Sequence, residues 1–226
     1  MYLTSHNPDL YRRLVTNSVL ALLLGSVIIF FTYHFVDERL SNCLLSYYAA
    51  GTFIGFGYFT EVAQYLDVAV FLIIVYSLVI RLRRHLHHFE ATCFAGSVGF
   101  LIAEGAIKIL KFIFGRTSLW QNGQCSWFQH IDPYTFHFFS KGPLFESFPS
   151  GHMSYVTSFF IAFWVAYPKI RWILVLYFLG CAMGLVSHCY HFLSDVIAGG
   201  ILGTIIASFV SYHFQLHPIL KAGKPS

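Results

Sequence analysis

Six stretches of this chain stay apolar for about the length of a bilayer crossing, and nothing else constrains the fold as strongly. They run over 14–36, 62–82, 91–114, 152–168, 172–188 and 193–214. A hydrocarbon core of roughly 30 Å is crossed by about 20 helical residues. Inside lipid every backbone polar group must find an internal partner, which leaves helices as the natural state of such segments. The full 226 residues are 57% hydrophobic and only 11% charged, against about 25% charged in a soluble domain. Too little polar surface remains to cover a water-soluble globule. A soluble enzyme, a nucleic-acid binder and a disordered chain are therefore disfavoured. The prediction is an all-α polytopic membrane helical bundle, a single membrane domain over 1–226 with six transmembrane helices. A further apolar stretch, 43–60, is broken by Gly51, Gly55 and Gly57. It is read as interfacial or re-entrant, with a seventh span as the alternative.

Basic residues set the orientation. Arg12 and Arg13 precede the first span, and Arg81, Arg83 and Arg84 follow the second. Lys169 and Arg171 lie between the fourth and fifth, and Lys221 and Lys224 end the chain. With six spans these all fall on one side, which the positive-inside rule makes cytoplasmic, with both termini there. No small-x-small cleavage pattern follows the first span, so it is read as a retained anchor. The other side carries Arg39, Lys108, Lys111, Arg116 and Lys141. Lys108 and Lys111 are open to two readings, as snorkelling residues at a helix end or as a site for an anionic headgroup. Glu104 precedes Lys108 by four residues, the spacing of a helical ion pair. It is read as that pair, or as a group positioning Lys108.

Three local patterns converge on the outer end of the predicted bundle: Lys111 to Arg116, Phe148-Pro149-Ser150-Gly151-His152, and His191-Phe-Leu-Ser-Asp195. Lys111 and Arg116 offer positive charge, and the arginine fork suits phosphate. Ser150 is a candidate helix cap, and Gly151 allows close backbone approach to an anion at the helix N-terminus. His152 follows directly. His191 and Asp195 are four apart, so a helix beginning near His191 gives them one face. The aspartate can then hold one imidazole nitrogen and leave the other as nucleophile. Two histidines flanking a phosphate supply a nucleophile and an acid for the leaving alkoxide.

The combination resembles the type 2 phosphatidic acid phosphatase superfamily of membrane lipid phosphatases. Its motifs are K-x6-R-P, P-S-G-H and S-R-x5-H-x3-D. The second is complete here, and Tyr190 to Gly199 (YHFLSDVIAG) is similar to the latter half of the third. The likeness extends over about 60–205, a phosphatase-like core. It implies His191 as nucleophile, Asp195 as its orienting group and His152 as general acid. Lys111, Arg116, Ser150 and Gly151 would hold the phosphate, with Lys108 as an alternative lysine; no metal or other cofactor is implied. Two positions depart from the pattern. Ser118 and Leu119 stand where R-P should follow Lys111, Arg116 lying instead in a Gly-Arg-Thr sequence similar to a bacterial branch. Leu185 stands where the third motif has Arg, with His188 or Lys108 as candidate substitutes.

His85, His87 and His88 sit in the basic flank RLRRHLHH and are read as flank, not as a metal site. The five cysteines have no C-x-x-C spacing. Cys43, Cys125 and Cys189 are expected on the outer side, where a Cys43–Cys125 disulfide is one open pairing. The resemblance implies a lipid phosphatase of a bacterial inner membrane with a periplasmic site, working on a phosphorylated membrane lipid through a phosphohistidine. Two alternatives stay open. One is lipid-to-lipid phosphotransfer. The other is a catalytically degenerate lipid-binding protein, motivated by Leu185.

Overall fold

The structure is a computed structural model that describes residues 7–49, 57–121, 124–125 and 134–216. Its described residues form seven α-helices: α1 Pro8–Phe35, α2 Asp37–Ala49, α3 Gly57–Arg81, α4 His88–Phe114, α5 Gly151–Ala166, α6 Arg171–Ser187 and α7 Leu193–His213. Asn7 opens α1 by accepting the amides of Asp9 and Leu10 on its side chain, with Pro8 in the first turn. All six predicted apolar stretches are helical. Among the described residues, five helical segments are long and apolar enough to cross a membrane, those built on α1, α3, α4, α6 and α7. The exception is α5. Its 16 residues span about 24 Å at 1.5 Å per residue.

That short helix is the axis of the bundle. It packs chiefly on α4 and α7, and also on α3 and α6. Its residues are enclosed all round, Val156, Phe159, Ile161 and Ala162 among them, and Thr157 and Ser158 turn their hydroxyls back to carbonyls of the helix itself. In contrast, α1 turns Leu23, Leu24, Val27 and Phe30 outward, and α3 and α6 expose Phe71, Leu72, Trp172 and Leu176. Such apolar surface suits lipid and not water.

Close backbone contact makes the centre. Gly199 and Gly203 of α7 lie where a Cβ would run into the carbonyls of Ser150 and Ser154. On α4, a Cβ at Gly96 or Gly99 would stand 2.8 Å from the Phe159 carbonyl or 2.9 Å from that of Ser158. Small residues that let backbones approach are a general device of helix association in lipid, where no hydrophobic force pulls helices together.

The bundle has two chemically different ends. At one, the Tyr212 hydroxyl reaches the carbonyl of Asn7 at 3.2 Å. His88 lies 5.2 Å from the ring of Tyr167, and Phe94 5.6 Å from Phe214. The starts of α1 and α4 and the ends of α5 and α7 therefore meet there, with Arg84 paired to Glu90 at 2.7 Å and Arg171 bonded to the Trp164 carbonyl. The opposite end gathers the end of α4 and the starts of α5 and α7.

Two expectations are adjusted. Cys43 is a free thiol, so it does not pair with Cys125; Cys189 is the described cysteine in a disulfide. Spacing carries no information on which loops meet in space. Of the 43–60 stretch, the first residues end α2 and the last open α3, while 50–56 lie outside the described residues.

The contact between α5 and α7 has no room for a methyl group. Gly203→Ala should destabilise the protein by about 1–3 kcal/mol, read as a lower thermal unfolding midpoint in detergent micelles. An unchanged midpoint would mean the two helices have slack.

Candidate active site

The end of α4 turns sharply because Gly115 adopts a left-handed conformation, φ +56°, and donates its amide to the Lys111 carbonyl at 2.8 Å. A side chain at this position would meet the His137 carbonyl. The turn drives Arg116 inward, where it is fully buried. Residues from the long loop close over it. The amide of His137 bonds the Gly115 carbonyl at 3.0 Å, and that of Ser147 bonds the Arg116 carbonyl at 3.0 Å.

Arg116 meets two carboxylates. Its Nη1 donates to Asp195 Oδ1 at 2.5 Å and to Ser194 Oγ at 2.6 Å, and its Nη2 donates to Asp37 Oδ2 at 2.8 Å. Aromatic rings surround the guanidinium, Phe192 at 4.0 Å, Tyr33 at 5.0 Å and Phe136 at 5.3 Å from its carbon. The rings supply a cation-binding face as well as dry walls. Only Nε has no partner among the described residues.

Asp195 is the hub. Besides Arg116 on Oδ1, its Oδ2 accepts the Ser147 hydroxyl at 2.5 Å and the Phe192 amide at 3.1 Å, the latter closing the first turn of α7. Nδ1 of His191 stands 3.7 Å from the same Oδ2. That is longer than a hydrogen bond and within reach of one by a small ring rotation. The backbone holds His191 from the other side, its amide bonding the Leu185 carbonyl at 3.2 Å. The side chain of Leu185 is fully buried in the apolar cluster with Phe100, Val156 and Cys181.

Across the site, Ser150 caps α5 by accepting the Met153 amide at 3.3 Å, and its own amide donates to the Asp195 carbonyl at 3.0 Å. The first turns of α5 and α7 are thereby tied together. His152 faces His191 with ring centroids 6.0 Å apart at 63°. It also lies parallel to Tyr190 at 6.4 Å, and Tyr190 lies parallel to His188 at 6.0 Å. His188 directs Nδ1 at the Gly184 carbonyl, 3.0 Å away.

The cations differ in what they already hold. Lys108 pairs with Glu104 at 2.6 Å and is 71% exposed, so the predicted helical ion pair is present. Lys111 makes no ion pair among the described residues, yet its charge acts on both His152 and His191. Lys108, Lys111 and Lys141 line a cavity of about 190 Å³ with Glu146. His191 lies between α6 and α7, and burial pulls its imidazole below the ordinary 6.5. The Asp195 carboxylate opposes that fall, and the charge of Lys111 adds to it.

The residues assigned to the site, His152, His191, Asp195, Lys111, Arg116, Ser150, Gly151 and Lys108, thus stand at one end of the bundle. Three others that hold the site together were not singled out: Asp37, Ser147 and Ser194. Asp37 carried the one available signal, a carboxylate between two apolar helices in a chain poor in charge. Arg116→Ala should destabilise the protein by about 3–5 kcal/mol, because it leaves two buried carboxylates without their cation. Thermal unfolding in detergent measures this, and a shift of a degree or less would contradict it.

Residues 97–218 match the sequence model of the PAP2 superfamily. Two proteins named lipid A 1-phosphatase, from Rhizobium etli and Rhizobium johnstonii, are each 41% identical to this chain over 76 residues. That stretch is 32% of this chain and 31% and 30% of theirs, so the match spans less than a third of these curated relatives. No solved structure matches the chain. With more than half of its length inside the family match, and with Pro149–His152 and His191–Asp195 folded against one another, the chain belongs to the PAP2 superfamily.

Proposed function

We propose that this protein is an integral membrane phosphatase that hydrolyses a lipid phosphomonoester or diphosphate at the outer face, through a phosphohistidine. The observation that carries the reading is the facing pair His152 and His191 with Asp195 behind the latter. Nδ1 of His191 faces the carboxylate, so Nε2 attacks phosphorus. The bond from phosphorus to the lipid oxygen breaks, and His152 gives that oxygen a proton. Water then attacks the phosphohistidine and returns a proton to His152. Inorganic phosphate leaves, and His191 is neutral again. A phosphate anion between the two rings favours the proton on His152 that the first step needs.

Lys111 supplies the uncommitted charge, and the first turn of α5 offers the Gly151 and His152 amides for the phosphate oxygens, the Ser150 amide being bonded to the Asp195 carbonyl. Arg116 has both terminal nitrogens on carboxylates. It lends its field and its unpartnered Nε–H. Lys108 stands at the rim. A mainly apolar groove of about 750 Å³ between α5, α6 and α7, running from Met153 and Gly200 to Arg171, is the place for the tail of the substrate. The bacterial relatives are named for a lipid phosphate, which supports a phosphorylated membrane lipid as the substrate class.

Six spans with α5 as the short central one, both termini cytoplasmic and a periplasmic site form the topology that goes with this reading. The grouping of Arg84 and Arg171 at the end opposite the histidines supports it. So does the disulfide at Cys189, since such bonds persist in oxidising compartments. Phosphotransfer to a second lipid would use the same intermediate, with the acceptor replacing water.

Two outcomes test the reading. His191→Ala should abolish phosphate release from phosphatidic acid in detergent micelles while the protein still folds; full activity would end the phosphohistidine mechanism. The second is the pH profile. Protonation removes the nucleophile, and His191 titrates below 6.5, so the acid limb of kcat/KM should fall below pH 6.5. A limb above pH 7 would rule out His191 as the group that limits activity.

A further inference from the structure

Asp37 is the first residue of α2, it is fully buried, and it lies outside the family match at 97–218. The phosphatase chemistry does not use it. Yet three groups at the reacting end of the bundle spend donors on it. Arg116 Nη2 reaches its Oδ2 at 2.8 Å and the Ser194 hydroxyl reaches the same oxygen at 2.5 Å, while the Ser194 amide bonds its Oδ1 at 3.1 Å. Asp37 therefore does two things at once. It fills the amide end of α7, where a carboxylate is favoured. It also holds one arm of the Arg116 fork away from Asp195.

We propose that Asp37 is a positioning residue for His191, acting through Arg116 and Ser194 on Asp195. With Asp37 in place, Arg116 engages only Oδ1 of Asp195. Oδ2 is left to face His191 Nδ1, together with Ser147 and the Phe192 amide. Without its charge, the freed Nη2 turns to the nearest carboxylate, which is Asp195, and a bidentate pair forms. Oδ2 is then drawn off the imidazole, and the first turn of α7 loses an anion at its amide end. His191 Nδ1, which stands 3.7 Å from Oδ2 with no hydrogen bond among the described residues, then loses the carboxylate it faces. A buried ion pair often adds little to net stability, whereas an aligned imidazole is what the reaction needs. The titratable groups facing His191 are Asp195 from α7, Lys111 from α4 and His152 from α5, and the Ser147 backbone faces it from the loop before α5. Asp37 touches none of the three except through Arg116 and Ser194.

The inference rests on the phosphatase reading for its kinetic consequence but not for its spectroscopic one. The test is Asp37→Asn in the full chain, in detergent micelles, with nitrogen-15 labelled histidine. The His191 signal is identified by its loss in His191→Gln. The wild type should show one tautomer at His191, with the proton on Nδ1, and Asp37→Asn should show an averaged mixture. With phosphatidic acid as probe, kcat should fall about 10- to 100-fold and KM should stay within about twofold. A folded Asp37→Asn with the wild-type tautomer overturns the proposal, as does a raised KM with kcat unchanged. Ser194→Ala, which removes one hydroxyl from the same chain, should give a smaller shift in the same direction and decides the matter if Asp37→Asn fails to fold. A wild type that releases no phosphate would end the phosphatase reading, while the imidazole spectra would still judge Asp37.

Discussion

A single guanidinium between two carboxylates organises this protein. Arg116, Asp37 and Asp195 are all fully buried, with one positive charge against two negative ones. Taking three ions out of water is costly, and their mutual attraction offsets it only with hydrogen bonds on nearly every remaining polar atom, Arg116 Nε being the exception among the described residues. That saturation dictates the surroundings: two serine hydroxyls, the first amides of α7, and three aromatic rings that wall the guanidinium off from water. The left-handed turn at Gly115 exists to aim the arginine at this point. The loop from Tyr134 to Ser147 follows, because it must bury the cation and still satisfy its own backbone. His191 takes its place from the same cluster, being four residues from the carboxylate that Arg116 holds.

The scaffold beneath it relies on shape and not on charge. Four glycines on α4 and α7 bring their backbones against α5, and the helix that results is short and enclosed, with Ser154, Thr157 and Ser158 buried at these contacts. Its N-terminus is therefore set at a fixed depth by contacts along its whole length. Ser150 then couples that terminus to the Asp195 carbonyl. Rigidity in the apolar middle becomes alignment of two histidines at the end, with little freedom left in between.

Much of this could be read from the residues. Apolar stretches of bilayer length gave every helix but α2, because in lipid a helix is the only way to satisfy an unbroken apolar backbone. The meeting of Lys111, His152, His191 and Asp195 at one end follows from span counting alone. What could not be read was the direction of Arg116. Its residue type suggests an open fork for phosphate, but its partner Asp37 is 79 positions away and looks like any acid at a helix start. The cysteines failed for a similar reason, since thiol spacing says nothing about which loops lie side by side. Leu185 stands where the family pattern has an arginine ligand. In the fold that position lies within apolar packing and contributes its carbonyl to His191, a role any side chain can share.

The bonds between Asp37 and Ser194 join residues 157 positions apart. Asp37 opens the second described helix, and Ser194 stands in the first turn of α7. During synthesis the carboxylate enters the membrane early and must wait, with its cation and its amide donors still to be made. Asp37 and Arg116 precede α7 in the chain while Ser194 and Asp195 lie in it, so the pocket around His191 closes only when α7 docks. A chain stalled or cut before α7 holds most of the bundle and none of the hub. Completion of the fold and completion of the site are the same event.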